Sequence, residues 1–118
     1  MDRARPAESF LPLRPVEFLI LLSLASGERH GYGIIQDAQA RDLGIAPDIG
    51  TLYRALRRLE DQGMIAEAGR RAAPDAHDER RIYYAITALG RRVARAEARR
   101  FEALAHAARA SGLLEARS

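Results

Sequence analysis

The sequence predicts a mainly α-helical fold with a small β-hairpin: a winged helix-turn-helix followed by a long C-terminal dimerisation helix. Three observations predict this class. Apolar residues recur at helical spacing through most of the chain, one late stretch rich in β-formers interrupts them, and aromatics are scarce, with no tryptophan among 118 residues. The length suits a single domain, and a domain this small leaves much of its surface exposed, so pairing with a second copy is favourable. The expected divisions are a flexible arm over 1–13, the winged domain over 14–87, the dimerisation helix over 88–113 and a tail over 114–118.

The elements follow in order. Residues 14–26 are apolar nearly all round (Val16, Phe18, Leu19, Ile20, Leu21, Leu22, Leu24), as in a helix buried on most sides, with Pro15 in its first turn and Gly27 past its end. A second helix is expected over 30–43, with Tyr32, Ile35 and Ala38 or Gln39 inward; Gly31 and Gly33 cost helix stability there and suggest close approach of another helix. Gly44 and Pro47 bracket a tight connection. The third helix, over 48–62, has the cleanest stripe in the chain: Ile49, Leu52, Tyr53, Leu56 and Leu59, with Asp48 as its N-cap and Gly63 closing it. Residues 64–68 and 81–86 then read as two strands around a polar loop over 69–80. Thr87 is placed to cap a last helix reaching residue 111, roughly 36 Å long and longer than the core of one small domain requires.

Composition excludes several classes. There is no cysteine, so disulfides and thiolate metal sites are ruled out. The apolar run from Val16 to Ala25 is too short to span a bilayer and Glu17 interrupts it; with no signal peptide evident, a cytoplasmic location away from membranes is expected. The net charge is only +3, yet all 19 basic residues are arginine. A GC-rich coding sequence produces such a bias without any function, so the placement of the arginines carries the argument.

That placement favours DNA. In a helix-turn-helix the second helix of the motif enters the major groove and its N-terminal half contacts base edges. With Ile49, Leu52, Leu56 and Leu59 facing the core, Gly50, Thr51, Arg54, Arg57 and Arg58 lie on or beside the outer face, and acidic Glu60 and Asp61 come only at its far end. Unpaired N–H groups at Gly50 and Thr51 suit a phosphate, the arginines reach bases or phosphates, and Tyr53 is ambiguous between core and backbone contact. Three arginines on a helix are commonly just a solvated face. The hairpin adds weight, because Arg70 and Arg71 flank its loop on one side and Arg80 and Arg81 on the other, where a wing meets the backbone or minor groove. Asp75, Asp78 and Glu79 oppose contact by the tip itself.

These segments resemble the PadR family of bacterial transcription regulators. The resemblance lies in Leu19 to Leu24, in His30-Gly31-Tyr32-Gly33-Ile34, in the run from Gly50-Thr51-Leu52-Tyr53 through Arg57-Arg58-Leu59-Glu60 to Gly63, in Asp78 to Tyr84 and in Ile86 to Gly90. It implies a homodimer joined by the last helix with help from the first, a repressor of a promoter, and release by a small-molecule effector at the dimer interface. By position it assigns Gly50, Thr51, Tyr53, Arg54 and Arg57 to the recognition helix and Arg80 and Arg81 to the wing. The chain lacks the tryptophan on which some multidrug-sensing members stack planar ligands.

For the dimer contact the expected residues are Leu19 and Leu22 in the first helix and Leu89, Val93, Phe101, Leu104 and Ala108 in the last, whose many alanines allow close helix approach. No cofactor or metal is expected, since His30, His77 and His106 are scattered and a site from His77 with Asp75, Asp78 or Glu79 is more simply solvated loop charge. No nucleophile, acid–base pair or phosphate loop supports an enzyme. The expected partners are therefore double-stranded DNA carrying an inverted repeat, and a second copy. The competing class is a winged-helix protein-interaction module without specific DNA binding, which an acidic recognition face would have favoured.

Overall fold

The computed structural model describes residues 6–72 and 80–116. A 3-10 turn at Ala7–Phe10 leads into α1 (Pro15–Leu24), β1 (Arg29–His30), α2 (Gly31–Arg41), α3 (Ile49–Asp61), β2 (Ile65–Ala72), β3 (Arg80–Ile86) and α4 (Ala88–Ala110). This is the mainly helical winged helix-turn-helix with a long last helix that the sequence predicts.

The apolar character of α1 has a simple cause: α1 packs against α2, α3 and α4 together. Leu19, Ile20, Leu21 and Leu24 are fully buried there. Pro15 occupies the first helical position, where its missing N–H costs nothing. Glu17 Oε1 accepts from the Arg14 amide at 2.9 Å and secures the first turn. The core is completed by Ile34 of α2, by Leu52, Ala55, Leu56 and Leu59 of α3, and by Met64, Ile65, Tyr84 and Val93. Each fully buried leucine contributes about 2 kcal/mol from apolar burial.

The sheet has three strands in the order β1-β3-β2, all antiparallel neighbours. The β2–β3 hairpin runs in register from Ile65 opposite Ile86 to Ala72 opposite Arg80, with an irregularity between Glu67 and Gly69. β1 was not expected. It is two residues long, too short for any period, and exists because α2 begins where its lead-in meets Tyr83 and Tyr84 of β3.

Three further expectations are corrected. The segment from Ala7 to Leu13, read as part of a flexible arm, docks on α4: the 3-10 turn packs against that helix and the buried Leu13 donates its amide to Glu97 Oε2 at 2.8 Å. Tyr32 and Ile49, read as inward, are 47% and 55% exposed, because each sits in the first turn of its helix, beyond the reach of the core. Leu19 and Val93, read as dimer contacts, are covered within their own chain at 1% and 0% exposure, so neither side chain is left to meet a partner.

α4 starts as expected, with the Thr87 hydroxyl accepting from the Gly90 amide at 3.0 Å. The same hydroxyl donates to the Gly63 carbonyl at 2.6 Å, and the Thr87 amide donates to the Met64 carbonyl at 3.0 Å. The turn after α3 is thereby fastened to the start of α4. Val93, Ala96 and Glu97 are buried, whereas Phe101 and Leu104 further along are 40% and 54% exposed.

Candidate nucleic-acid interface

α3 presents one polar cationic face. Asp48 caps it, its Oδ1 accepting from the Thr51 amide at 2.7 Å. That bond from the Thr51 amide, helped by the nearby Arg54 charge, holds the Asp48 carboxyl below its ordinary value, so the cap is a carboxylate at neutral pH. Gly50, Tyr53, Arg54, Arg57, Arg58 and Asp61 line one shallow surface cleft. Arg54 lies back along the helix and donates to the Thr51 hydroxyl at 3.2 Å. Arg57 is exposed and makes no ion pair among the described residues.

Arg58 differs from its neighbours. Its Nε donates to Glu17 Oε2 on α1 at 2.9 Å, and its side chain is only 34% exposed. Arg58, expected among the DNA contacts, thus lines the same cleft while its guanidinium is paired within the chain. Nothing local in the sequence marks this pair, since the two residues lie 41 positions apart.

Two of the hairpin arginines, Arg71 and Arg81, are likewise held by neighbours. Arg71 pairs with Glu28 and stacks over the Tyr83 ring at 4.4 Å from its centroid. Arg81 lies over the Tyr32 ring at 5.4 Å and beside His30 Nδ1 at 3.5 Å. His30 packs edge-on against Tyr83 with centroids 5.1 Å apart, and its Nδ1 accepts from the Gly33 amide at 3.0 Å to cap α2. Arg70 is exposed. The backbone of Arg80 opens β3, but the side-chain role expected of it lies outside the described residues, as do Asp75, His77, Asp78 and Glu79. Glu28, Tyr32 and Tyr83 were missed as supports of the wing stem, because they come to it from the segment before β1, from α2 and from β3, and only the folded chain brings these together.

One close approach ties α2 to α3. A Cβ on Gly31 would come within 2.6 Å of Tyr53 Oη and 2.9 Å of its Cζ. This agrees with the helix approach inferred from that glycine. Gly31→Ala is expected to leave the fold intact, with a thermal midpoint within about 5 °C of wild type, because the half-exposed Tyr53 ring can swing away. Displacing Tyr53 is expected to weaken DNA binding several-fold; calorimetry together with DNA titration checks both parts.

Among the described residues no helix is long and apolar enough to cross a membrane, and no cluster of three or more His, Cys, Asp or Glu side chains is placed to hold a metal.

A helix pair capped at Asp48, packed on α1 and flanked by the β2–β3 hairpin defines a winged helix-turn-helix. The family model described as "Transcriptional regulator PadR-like family" matches residues 20–96. The chain belongs to this family. Among solved structures it is similar to a PadR family transcriptional regulator from Eggerthella lenta, at 27% identity and a TM-score of 0.65, covering 94% of this chain and 87% of that one. A PadR family transcription regulator from Clostridium difficile is 22% identical with a TM-score of 0.67, over 79% of this chain and 93% of that one. Bacillus subtilis PadR, solved in complex with operator DNA, is 24% identical with a TM-score of 0.59, over 70% of this chain and 46% of that one. No match was found among curated protein sequences.

Proposed function

We propose that the protein is a homodimeric, sequence-specific DNA-binding regulator, acting in the cytoplasm as a repressor that a small-molecule effector releases. The observation that carries DNA binding is the outer face of α3, where Gly50, Thr51, Tyr53, Arg54 and Arg57 stand together while the opposite face is fixed in the core. The operator complex of the similar Bacillus subtilis protein supports the same reading. The expected target is an inverted repeat with half-sites about one helical turn, ~34 Å, apart.

Arg54→Ala and Arg57→Ala are each expected to weaken operator binding by about tenfold to a hundredfold at fixed salt, an effect of roughly 1–3 kcal/mol. The measurement is fluorescence anisotropy on fragments from the chain's own upstream region. Unchanged affinity in both variants would refute the recognition face.

Dimerisation is supported by the unpartnered outer half of α4. Phe101 and Leu104 are exposed there, Ala108 is half-buried, and Leu22 and Leu89 are half-buried nearer the core. Phe101 already meets Phe18 edge-on at 5.0 Å, which joins α1 and α4 into one surface. A monomer by sedimentation at micromolar concentration would overturn this part. An apolar cleft of about 180 Å³ between α1 and α4, lined by Phe18, Leu22, Ile86, Ala94 and Ala98 with Arg91 and Arg95 alongside, supports an effector site near that surface.

A further inference from the structure

We propose that Glu17 is a positioning residue that sets the electrostatic part of DNA affinity: by holding Arg58 in an intramolecular ion pair, it withholds one cation of the recognition helix from DNA phosphates. The inference rests on the DNA-binding reading and deepens it. α3 carries three arginines on or beside one cleft, and they are not equivalent. Arg54 donates to the hydroxyl of Thr51 and lies near the Asp48 carboxylate of its own helix start, and among the described residues Arg57 makes no ion pair. Arg58 is held at 2.9 Å by a carboxylate from another helix.

The pair is asymmetric in a way that makes it hard to divert. The Glu17 side chain is 10% exposed and its other oxygen is engaged by the Arg14 amide at 2.9 Å. It stands on α1 beside the buried Leu19, Ile20 and Leu21, so it cannot follow Arg58 outward. For Arg58 to reach a phosphate it must leave a mostly buried carboxylate without its charge partner, which is costly. Arg58 itself, at 34% side-chain exposure, lies close enough to the cleft to make that contact if released.

The consequence is electrostatic. Phosphate neutralisation strengthens binding to every sequence alike, whereas base contacts discriminate. Holding Arg58 back lowers the sequence-independent affinity and leaves Arg54 and Arg57 to act on the groove. Glu17 thus lowers the phosphate-driven affinity and its salt dependence for operator and random DNA alike.

The experiment measures the dependence of log K on log salt for a random-sequence duplex and for the operator fragment. The proteins are wild type, Glu17→Gln, Arg58→Gln and the double variant, each checked for native helicity by circular dichroism. Glutamine keeps an acceptor for the Arg14 amide while removing the charge that holds Arg58. Glu17→Gln is expected to steepen the slope on both duplexes by up to about 0.9, equivalent to an extra ~3.5-fold loss of affinity between roughly 50 and 200 mM salt, and to leave the operator preference unchanged. Arg58→Gln and the double variant are expected to keep the wild-type slope.

A slope made shallower by Arg58→Gln would overturn the proposal, because Arg58 would then contact phosphate in the wild type. A folded Glu17→Gln with unchanged slope would overturn it too. If either single variant fails to fold, the double variant still decides, since it leaves no buried charge unpaired and its slope shows whether Arg58 met phosphate. Wild-type protein without salt-dependent binding would instead refute the DNA-binding reading itself, an outcome distinct from either.

Discussion

Gly90→Ala is expected to lower the midpoint of thermal unfolding by roughly 10–20 °C, the largest effect of any single methyl group added to this chain. A Cβ at this position would lie 2.1 Å from the Met64 carbonyl oxygen and 2.9 Å from Ile86 Cγ1. The first obstacle is backbone, and that backbone is fixed. The Met64 carbonyl accepts from the Thr87 amide, the Met64 amide donates to the Leu59 carbonyl, and the Met64 side chain is fully buried. No side-chain rotation relieves the contact, so the start of α4 must move away from the turn after α3. A cost of about 3 kcal/mol or more follows, at the upper end of overpacking penalties. Circular dichroism melts of the two proteins measure it; a midpoint within about 3 °C of wild type would show that α4 shifts freely. The contrast with Gly31→Ala is instructive, because there the obstacle is the free end of a tyrosine.

The second large effect is expected at Glu97. This carboxylate is fully buried, accepts from the Leu13 amide and is gripped by the Arg100 guanidinium through two bonds. Glu97→Gln is expected to cost about 2–3 kcal/mol at neutral pH, because a buried amide is left poorly paired with Arg100 and its hold on the N-terminal segment weakens. Arg100 is 38% exposed, which keeps the figure below that of a fully buried pair.

The effect depends on pH in a definite direction. The bond from Arg100, reinforced by the Leu13 amide and opposed by burial, holds the Glu97 carboxyl below its ordinary value of 4.5. The folded chain therefore binds a proton at Glu97 less readily than the unfolded chain does. The stability this provides is full above pH 4.5 and is lost as pH falls through the lower folded value. Denaturant titrations at pH 7, 5, 4 and 3 on wild type and Glu97→Gln should show the gap between them closing only below about pH 4.5. A gap that stays constant to pH 3 would contradict the assignment.

The expected elements and the observed ones agree where the signal is a repeating pattern. The stripe of Leu52, Leu56 and Leu59 placed α3, and Asp48 and Thr87 marked the starts of α3 and α4. The pattern failed at helix ends, where Tyr32 and Ile49 keep the period but extend past the core, and at Leu19 and Val93, where it could not say which partner an apolar side chain would meet. The face bearing Gly50, Thr51, Arg54 and Arg57 was legible for the same reason that α3 was: the residues opposite a buried stripe must point outward.

What the sequence by itself determined, then, was the order of the helices and the hairpin, the family, and a cationic outer face on the third helix. These depend on residues within a turn or two of one another, where spacing alone fixes the geometry. Only the tertiary structure decided the rest. It brought Glu17 onto Arg58, Glu28 and Tyr83 onto Arg71, Leu13 onto Glu97 and Met64 onto Gly90, pairings made across 41, 43, 12, 84 and 26 intervening steps of chain. Charges and carbonyls so far apart choose partners only after the core has closed, because burial sets which of them face each other and removes the water that would otherwise satisfy them.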